Sequence, residues 1–319
     1  MPAYAAAAVA FAVLLSIGIS WLRRSSTSPI TPAAWQVQRV NGFPRIGTTE
    51  MSSEGQLAVG QWLETDAKSS AQIAVSTIGQ VRIDPNTRIR LVQTQPTEHR
   101  LELAHGRLTA RIWAPPRLFF VDTPSAVAAD LGCAYTLEVD DSGNGVLHVT
   151  SGWVALQLND KESMVPAGAA CQTRRGLGPG IPYFEDASFA FRQDLAKVDS
   201  TDLQNPQQKT LVVDSLLKES RPRDTLTLWH LLARVDGADR SAVYEVMSNL
   251  VPAPDGVTRD GVLRLDHQML DLWRTKLEMT WNHDLTQAEV KRMFAQPVAD
   301  IIFRVRNGIK HRARQVGLK

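Results

Sequence analysis

Alternation of apolar and polar residues between about residues 35 and 170 is the strongest constraint on the fold of this chain. Apolar side chains recur at every second position in short runs, which include Ile73 and Val75, Val81 and Ile83, Ile89 and Leu91, Leu101 and Leu103, Leu108, Ala110 and Ile112, and Leu147 and Val149. A period of two is typical of β-strands, and polar residues between the apolar ones indicate one buried and one solvated face. This region is therefore predicted to be mainly β.

Glycines mark the ends of these runs, at positions 60, 79, 106, 132, 152 and 168. Glycine adopts positive φ at little steric cost, so we expect sharp reversals of the backbone there. The coils of a β-solenoid need a reversal at about this interval, and so do short meandering sheets. Because turns in any all-β domain also fall at glycine, the spacing leaves these arrangements open.

The apolar pattern takes the period of an α-helix after about Asp186. Two of the apolar stripes are Leu228, Trp229, Leu232 and Val235, and Met269, Leu270, Trp273 and Leu277, of which the second is expected in a core. The predicted order is a mainly-β domain over residues 56–171, a connecting segment over 172–206 and an all-α helical domain over 207–319. The expected fold class is α+β with several domains.

The N-terminal segment from Tyr4 to Leu22 contains no charged side chain and reads YAAAAVAFAVLLSIGISWL. About twenty helical residues span the hydrocarbon core of a bilayer, so residues 3–22 are predicted to form a transmembrane helix. A cleaved signal peptide and a buried helix are the alternatives, but the segment lacks the basic start of a signal peptide. Residues 23–55 follow as a linker and an entry strand.

Composition excludes several classes of protein. With 44% hydrophobic residues the chain is not intrinsically disordered, and its two cysteines are too few for the framework of a small secreted toxin. A net charge of +2 gives no global attraction to nucleic acid, so no nucleic-acid partner is predicted.

Residues with catalytic or metal-binding chemistry do not fall into a complete motif. Ser215 and Lys218 have the S-x-x-K spacing of a penicillin-binding nucleophile, but no S-D-N or K-T-G sequence accompanies them. His99 and His105 lie about 20 Å apart if both are on one extended strand, which is too far to share a metal ion. They are expected to be surface histidines. We predict no enzymatic activity, no cofactor and no metal site.

The last sixteen residues carry six cations and no acid. Five of them, Arg304, Arg306, Lys310, Arg312 and Arg314, are candidates for contact with an anionic surface. A solvated helix end is one interpretation, because the helix dipole favours cations at a C-terminus. The alternatives are anionic lipid headgroups or an acidic partner protein.

Seven short motifs follow one another in the β region. They are an entry motif with Ser-x-Ala at residues 65–71, I-x-P-x-T-x-I-x-L at 83–91, L-x-x-G-x-L at 103–108, V-x-T-P-x-A at 121–126, a glycine followed by a strand at 131–139, V-x-x-G-x-V at 149–154 and P-A-G at 166–168. Each motif is weak alone, but in this order they make residues 56–171 resemble the FecR domain.

In the FecR family this domain lies outside the cytoplasmic membrane, is tethered by one helix and passes a signal to an extracytoplasmic-function sigma factor. The resemblance implies a β-solenoid-like domain in a bacterial inner-membrane protein whose bulk is periplasmic, with a protein partner in the envelope or the sigma-factor pathway. Typical regulators of the family carry several dozen cytoplasmic residues before the membrane helix, whereas three residues precede Tyr4. A non-signalling envelope scaffold or ligand-binding module is therefore the alternative function.

The two cysteines, Cys133 and Cys171, each follow a corner of the FecR-like region. Neighbouring coils of a solenoid-like domain could bring them together, and an external location would permit a disulfide. A disulfide is therefore a candidate, and two buried free thiols are the alternative.

A reporter fused after Lys319 tests the membrane orientation. The family resemblance predicts that a reporter active only after export, such as alkaline phosphatase, is active at this position. The pair Arg23 and Arg24 beside the apolar segment predicts the opposite orientation by the positive-inside rule. Activity of a reporter that works only in the cytoplasm would contradict the external assignment.

Overall fold

The computed structural model describes residues 34–200 and 205–282 of the chain. The predicted membrane segment from Tyr4 to Leu22 and the basic residues from Arg304 to Arg314 lie outside the described residues. Within the two described ranges, no helix is both long enough and apolar enough to span a membrane.

Residues 34–184 form a β region. Its strands are β1 (Ala34–Asn41), β2 (Arg45–Ile46), β3 (Thr49–Glu50), β4 (Glu54–Ala58), β5 (Trp62–Glu64), β6 (Ser70–Val75), β7 (Gly79–Ile83), β8 (Arg88–Gln95), β9 (Glu98–Ile112), β10 (Phe119–Asp122), β11 (Val127–Asp130), β12 (Ala134–Val139), β13 (Gly145–Ser151), β14 (Trp153–Leu158), β15 (Lys161–Pro166), β16 (Ala169–Arg174), β17 (Gly178–Pro179) and β18 (Tyr183–Phe184).

Strand pairing divides the β region into two sheets. Sheet A has the order β1, β6, β7, second half of β9, β12, β13 and β16, with β17 and β18 both paired to β16. Sheet B has the order β3, β2, β5, β8, first half of β9, β10, β11, β14 and β15. Buried residues of both sheets form one hydrophobic core, as the predicted alternation requires.

The long strand β9 joins the two sheets. Residues 98–105 pair with β8 in sheet B, and residues 106–112 pair with β7 and β12 in sheet A. The inward positions change from odd to even along the strand, from Leu101 and Leu103 to Leu108 and Ala110. A bend at Gly106 causes this change, since Gly106 has φ +96° and a Cβ there would lie 2.4 Å from the Cα of Thr87.

Glycines at other crossings between the sheets also have positive φ, as predicted for residues 60, 132, 152 and 168. Gly152 shows why a side chain is excluded at a crossing: its φ is +70°, and a Cβ would lie 2.2 Å from the carbonyl oxygen of Gly132. Two corners of the chain therefore touch backbone to backbone. Gly79 is the exception to the prediction, because its φ is not positive; a Cβ there would instead meet the carbonyl of Arg111 at 2.5 Å.

The β-solenoid arrangement is not confirmed. Neighbouring coils of a solenoid stack their strands in parallel, whereas successive strands here pair as antiparallel hairpins, such as β6 with β7, β12 with β13, and β14 with β15. Among the described strands, β9 and β10 do run parallel to each other. Short turns such as residues 140–144 return the chain beside itself before it crosses to the other sheet, and this produces the antiparallel pairs.

A helical region follows the β region, as predicted. Its helices are α1 (Phe189–Asp199), α2 (Pro206–Lys218), a 3₁₀ turn (Pro222–Asp224), α3 (Thr225–Leu232), α4 (Gly237–Leu250), α5 (Arg259–Leu263) and α6 (His267–Trp281). Trp273 and Leu277 of α6 are buried, as expected from the apolar stripe, whereas Met269 and Leu270 are half-buried.

Helix α3 closes the edge of sheet B. The backbone N–H of Met164 in β15 donates to Nε2 of His230 over 3.1 Å, so the ring proton is on Nδ1, which donates to the carbonyl of Leu226 at 2.9 Å. Burial lowers the pKa of His230 to about 3, and the imidazole is neutral at physiological pH. An edge-strand donor that would otherwise be open is thereby satisfied by a helix.

Arg234 and a tryptophan pair complete the contact between the two regions. Nη2 of Arg234 donates to the carbonyls of Pro179 and Gly180, each at 3.0 Å. The rings of Trp153 in β14 and Trp281 in α6 have centroids 6.3 Å apart. The helical region therefore shares its core with the β region.

Alanine at Gly152 tests the close approach of the two corners. Gly176 is a matched control, because its φ is +79° and no atom lies within 4 Å of a Cβ placed on it. Both changes lose about 1–2 kcal/mol through the left-handed conformation. We expect Gly152→Ala to lower the free energy of unfolding in urea by about 2 kcal/mol more than Gly176→Ala, because Gly132 must also move. Equal losses for the two variants would show that the corners do not touch.

Candidate partner-binding surface

Threonine side chains of the motifs that carry the family resemblance form hydrogen bonds to backbone groups where the chain crosses between the two sheets. Thr65 Oγ1 donates to the carbonyl of Asp84 at 2.7 Å and accepts the N–H of Thr87 at 2.9 Å. Thr87 Oγ1 in turn accepts the N–H of Arg107 at 2.9 Å, beside the bend in β9. These threonines are buried, so their role is to position the crossings rather than to contact a ligand.

A second set of side-chain hydrogen bonds to the backbone stabilises the hairpin between β10 and β11. Thr123 Oγ1 donates to the carbonyl of Ala126 at 2.7 Å and accepts its N–H at 2.9 Å. Ser125 is fully buried, and its hydroxyl lies 2.7 Å from that of Thr173 in β16. The V-x-T-P-x-A motif is therefore structural as well.

The outer face of sheet B carries arginines, aromatic rings and carboxylates from neighbouring strands. We call it the arginine–aromatic face and define it by Trp62, Glu64, Arg88, Arg90, Glu98, Arg100, Glu102, Phe120 and Asp122. These residues occupy the outward positions of β5, β8, β9 and β10, because the residues between them are in the core. Strand pairing places Trp62 opposite Arg90, and Arg90 opposite Glu102.

Trp62 is the centre of one half of this face. The Cζ atoms of Arg88 and Arg90 lie 4.1 and 4.9 Å from the centroid of its ring. Arg88 Nε lies 2.8 Å from Glu64 Oε1, and Arg90 Nε donates to Glu102 Oε2 over 2.9 Å. The carboxylates hold both guanidinium groups over the indole.

Arg100 is the centre of the other half. Its Cζ lies 4.5 Å from the centroid of the Phe120 ring, its Nε donates to Glu98 Oε1 over 2.7 Å, and it pairs with Asp122. Burial disfavours the charged guanidinium, but Asp122 and Glu98 outweigh this effect and raise the pKa of Arg100. Each arginine of the face thus has an acidic partner and an aromatic neighbour.

A polar groove of about 830 Å³ lies at one end of sheet A. Residues from β7, β9, β12, β13 and β16 and their turns line it. Arg107 and Glu138 form an ion pair of 2.6 Å in the groove, and Asp140 Oδ1 accepts the N–H of Asn144 at 2.9 Å. The groove differs from the arginine–aromatic face in that no aromatic ring among the described residues lines it, although the half-buried Arg174 does.

The two cysteines are free and buried, so the disulfide proposed from the sequence is not formed in the structure. Cys171 is opposite Leu147, which is opposite Leu137, four residues beyond Cys133. Two strand spacings and four residues separate the Cα atoms of Cys133 and Cys171 by about 16 Å, whereas a disulfide needs Cα atoms within about 7 Å. In the antiparallel arrangement β13 lies between β12 and β16, whereas a solenoid would place the strands that carry the two cysteines side by side.

A buried carboxyl group lies next to one of these thiols. Asp130 Oδ2 accepts a hydrogen bond from Cys133 Sγ at 2.7 Å, and Oδ1 accepts the N–H of Gly132 at 2.7 Å. Burial raises the pKa of Asp130 to about 7, although these hydrogen bonds lower it in part. The nearby Tyr135 hydroxyl is buried and has no hydrogen-bond partner in the described part of the chain.

His99 corrects the expectation of surface histidines. It is 6% exposed, its Nδ1 lies 2.9 Å from Thr94 Oγ1, and its ring centroid is 5.9 Å from that of Trp35. The inward parity of β9 explains its burial, since His99 shares a face with Leu101. Across residues 34–200 and 205–282, no group of three or more His, Cys, Asp or Glu side chains is arranged to hold a metal ion.

Sequence reasoning did not single out the arginine–aromatic face or Asp130. The alternation does place Arg88 and Arg90 at outward positions of one strand, and this signal could have marked them. Their stacking on Trp62 depends on the pairing of β5 with β8, which the sequence does not specify. The basic residues Arg304, Arg306, Lys310, Arg312 and Arg314, predicted to contact an anionic surface, lie outside the described residues.

A family model matches the central segment of the chain. Residues 61–155 match the family model described as FecR protein. This segment runs from β5 into β14 and contains the whole arginine–aromatic face. The resemblance predicted from the motifs is confirmed for this segment.

Solved structures of low similarity were also found. Crystal structures at 1.65 and 2.50 Å of a protein from Parabacteroides distasonis ATCC 8503, proposed to be an anti-sigma factor, are 15% identical to this chain with a TM-score of 0.34. The match covers 41% of this chain and 64% of that chain, so under two thirds of the solved chain is represented. At this TM-score the likeness supports no conclusion about function. The search of curated proteins gave no match.

Replacing Asp130 by Asn tests the buried carboxyl group. The unfolded chain loses the Asp130 proton near pH 3.8 and the folded chain near pH 7, so the folded state binds more protons between these values. The free energy of unfolding contributed by Asp130 therefore falls as pH rises through this interval. We expect the stability of Asp130→Asn relative to the natural protein to increase from pH 4 to pH 7, by at most about 4 kcal/mol. Urea titrations at several pH values measure the difference in the free energy of unfolding between the two proteins. A difference that does not change with pH would contradict the raised pKa of Asp130.

Proposed function

We propose that this protein is a regulator in a sigma-factor pathway and that its FecR-like segment binds a protein partner through the arginine–aromatic face. The observation that carries the proposal is that this face lies wholly within the segment that matches the FecR model. Tryptophan and arginine are the residue types that contribute most binding energy at protein interfaces.

The internal pairing of the face supports a protein as the partner. Arg90 and Arg100 are half-buried and already oriented by carboxylates, so little side-chain freedom is lost when a partner docks. Three arginines and four acids give the face both signs of charge, which suits a partner with a complementary pattern rather than a polyanion.

The cellular location is part of the proposal. The uncharged segment from Tyr4 to Leu22 supports a single-pass membrane anchor. The match to the FecR model supports a bacterial inner membrane with the β region on the periplasmic side, against the orientation that Arg23 and Arg24 favour. In this arrangement the protein responds to a signal or partner in the envelope and influences an extracytoplasmic-function sigma factor.

Deletion of the gene in its native bacterium tests the regulatory role. We expect the deletion to change the abundance of a set of transcripts that share one sigma-factor promoter type, and the natural gene to restore them. If the deletion leaves every such set unchanged, the sigma-factor role is refuted and the non-signalling scaffold becomes the better proposal.

Complementation with surface variants tests the partner site. Trp62→Ala removes the ring on which Arg88 and Arg90 stack, and loss of an interface hot spot of about 2 kcal/mol weakens binding roughly thirtyfold. We expect Trp62→Ala to fail to restore the transcripts at equal protein level. Arg111→Glu, on the exposed outer face of sheet A, is the matched control and should restore them. Full restoration by Trp62→Ala would remove the arginine–aromatic face as the partner site.

A further inference from the structure

A cleft of about 520 Å³ lies where the helical region meets the end of sheet B. The β14–β15 turn and β15 form one side, and α3, α6 and the short segment between α5 and α6 form the other. Four half-buried apolar side chains line it: Met164, Trp229, Leu265 and Leu270. Its volume and its position between two regions of the fold are typical of a small-molecule site.

Leu265 reaches this cleft from a backbone conformation that usually requires glycine. α5 ends in a Schellman motif, in which the N–H of Asp266 donates to the carbonyl of Gly261 and the N–H of Leu265 to that of Val262, both at 2.9 Å. The residue after the cap is then left-handed, and Leu265 has φ +58°. A leucine in this conformation is disfavoured relative to glycine, because its Cβ lies close to the following carbonyl oxygen. An apolar side chain is nevertheless present on the cleft wall at this position.

Among the described residues, one cation of the cleft, Lys161, has no direct ion pair, although its charge is among those that offset the effect of burial on the pKa of the Asp199 carboxyl group. Arg234 Nη1 lies 3.5 Å from Asp199 Oδ1, and Arg274 Nε lies 2.8 Å from the buried carboxylate of Glu278. The exposed Lys161 has no carboxylate within ion-pair distance among the described residues. Its ammonium donates to the carbonyl of Leu177 at 2.8 Å, which leaves two of its three protons for a ligand.

The two acids that line the cleft do not neutralise this lysine. Glu162 Oε1 accepts a hydrogen bond from Gln157 at 2.9 Å and lies 3.3 Å from Arg117 Nη2, so it is already held on the sheet. Asp160 is exposed to solvent, where water and salt screen its charge.

We propose that this cleft binds a small amphipathic carboxylate. The apolar body of the ligand packs on Trp229, Leu265 and Leu270, and its carboxylate accepts hydrogen bonds from the Lys161 ammonium. The ligand bridges the β14–β15 turn and the helices, so binding stabilises their contact and raises the melting temperature of the protein. This site is separate from the arginine–aromatic face and does not depend on the partner proposed for it.

Calorimetric titration of the full chain in lipid nanodiscs tests the site, with empty nanodiscs as the reference. The probes are 4-phenylbutyrate and its neutral counterpart 4-phenylbutan-1-ol, which share an apolar body and differ in the charged group. We expect the carboxylate to bind saturably and about tenfold more tightly than the alcohol, because a hydrogen bond between two charged groups is stronger than one to a neutral hydroxyl.

Lysine variants separate the charged contact from general electrostatics. Lys161→Gln should weaken binding of the carboxylate about tenfold and leave the alcohol unchanged. Lys276→Gln is the matched control, because the Lys276 ammonium also donates to a backbone carbonyl at 2.8 Å, that of Pro252, but does not line the cleft. It should leave both affinities unchanged.

Leu265→Gly tests the apolar wall independently. It relieves the left-handed conformation, so the protein should remain folded, while the affinities for the acid and the alcohol should fall together. The proposal is overturned if the natural protein shows no saturable binding of the carboxylate, if acid and alcohol bind equally, or if Lys161→Gln behaves like Lys276→Gln. No partner protein is present in these titrations, so their failure is distinct from failure of the proposed function.

Discussion

The close approach of backbone at the crossings between the two sheets is the constraint on which the rest of the β region depends. At Gly152 a Cβ would lie 2.2 Å from the carbonyl of Gly132, and at Gly106 it would lie 2.4 Å from Thr87. Positive φ at both positions turns the chain from one sheet to the other, and the hydroxyls of Thr65 and Thr87 satisfy the backbone groups that the turns expose. The hairpins between these crossings can then keep their apolar residues inward on both sheets, which produces a single core.

The helical region completes this structure because sheet B would otherwise end in an open edge. His230 accepts the N–H of Met164, and Arg234 donates to carbonyls beyond β16. Burial of His230 makes the free energy of unfolding fall as pH falls from 6.5 toward 3, since only the unfolded chain binds the proton there. The buried Asp130 acts in the opposite direction between 3.8 and 7. The two groups therefore partly offset each other over a shared interval of pH.

Two surfaces of different chemistry result from this arrangement. The arginine–aromatic face extends over four neighbouring strands on the outside of sheet B, and a surface of this width suits contact with a protein. The cleft beside α3 is smaller and concave, and both apolar and charged side chains line it, which suits an amphipathic small molecule. Both lie on sheet B, but the first is within the segment that matches the FecR model and the second lies where the helices cover β15. The two proposed sites therefore occupy separate parts of the fold.

The sequence by itself determined the strand and helix content, most of the inward side chains and the glycine corners other than Gly79, because each depends on neighbours within a few residues. It also placed Arg88 and Arg90 on a solvated face. The tertiary structure decided how the strands pair, since two antiparallel sheets and a stack of parallel coils require the same alternation and the same glycines. That pairing separated Cys133 from Cys171, buried His99 against Trp35 and brought Trp62 under two arginines. Contacts between residues distant in sequence depend on strand order and register, and no local pattern of residues specifies these.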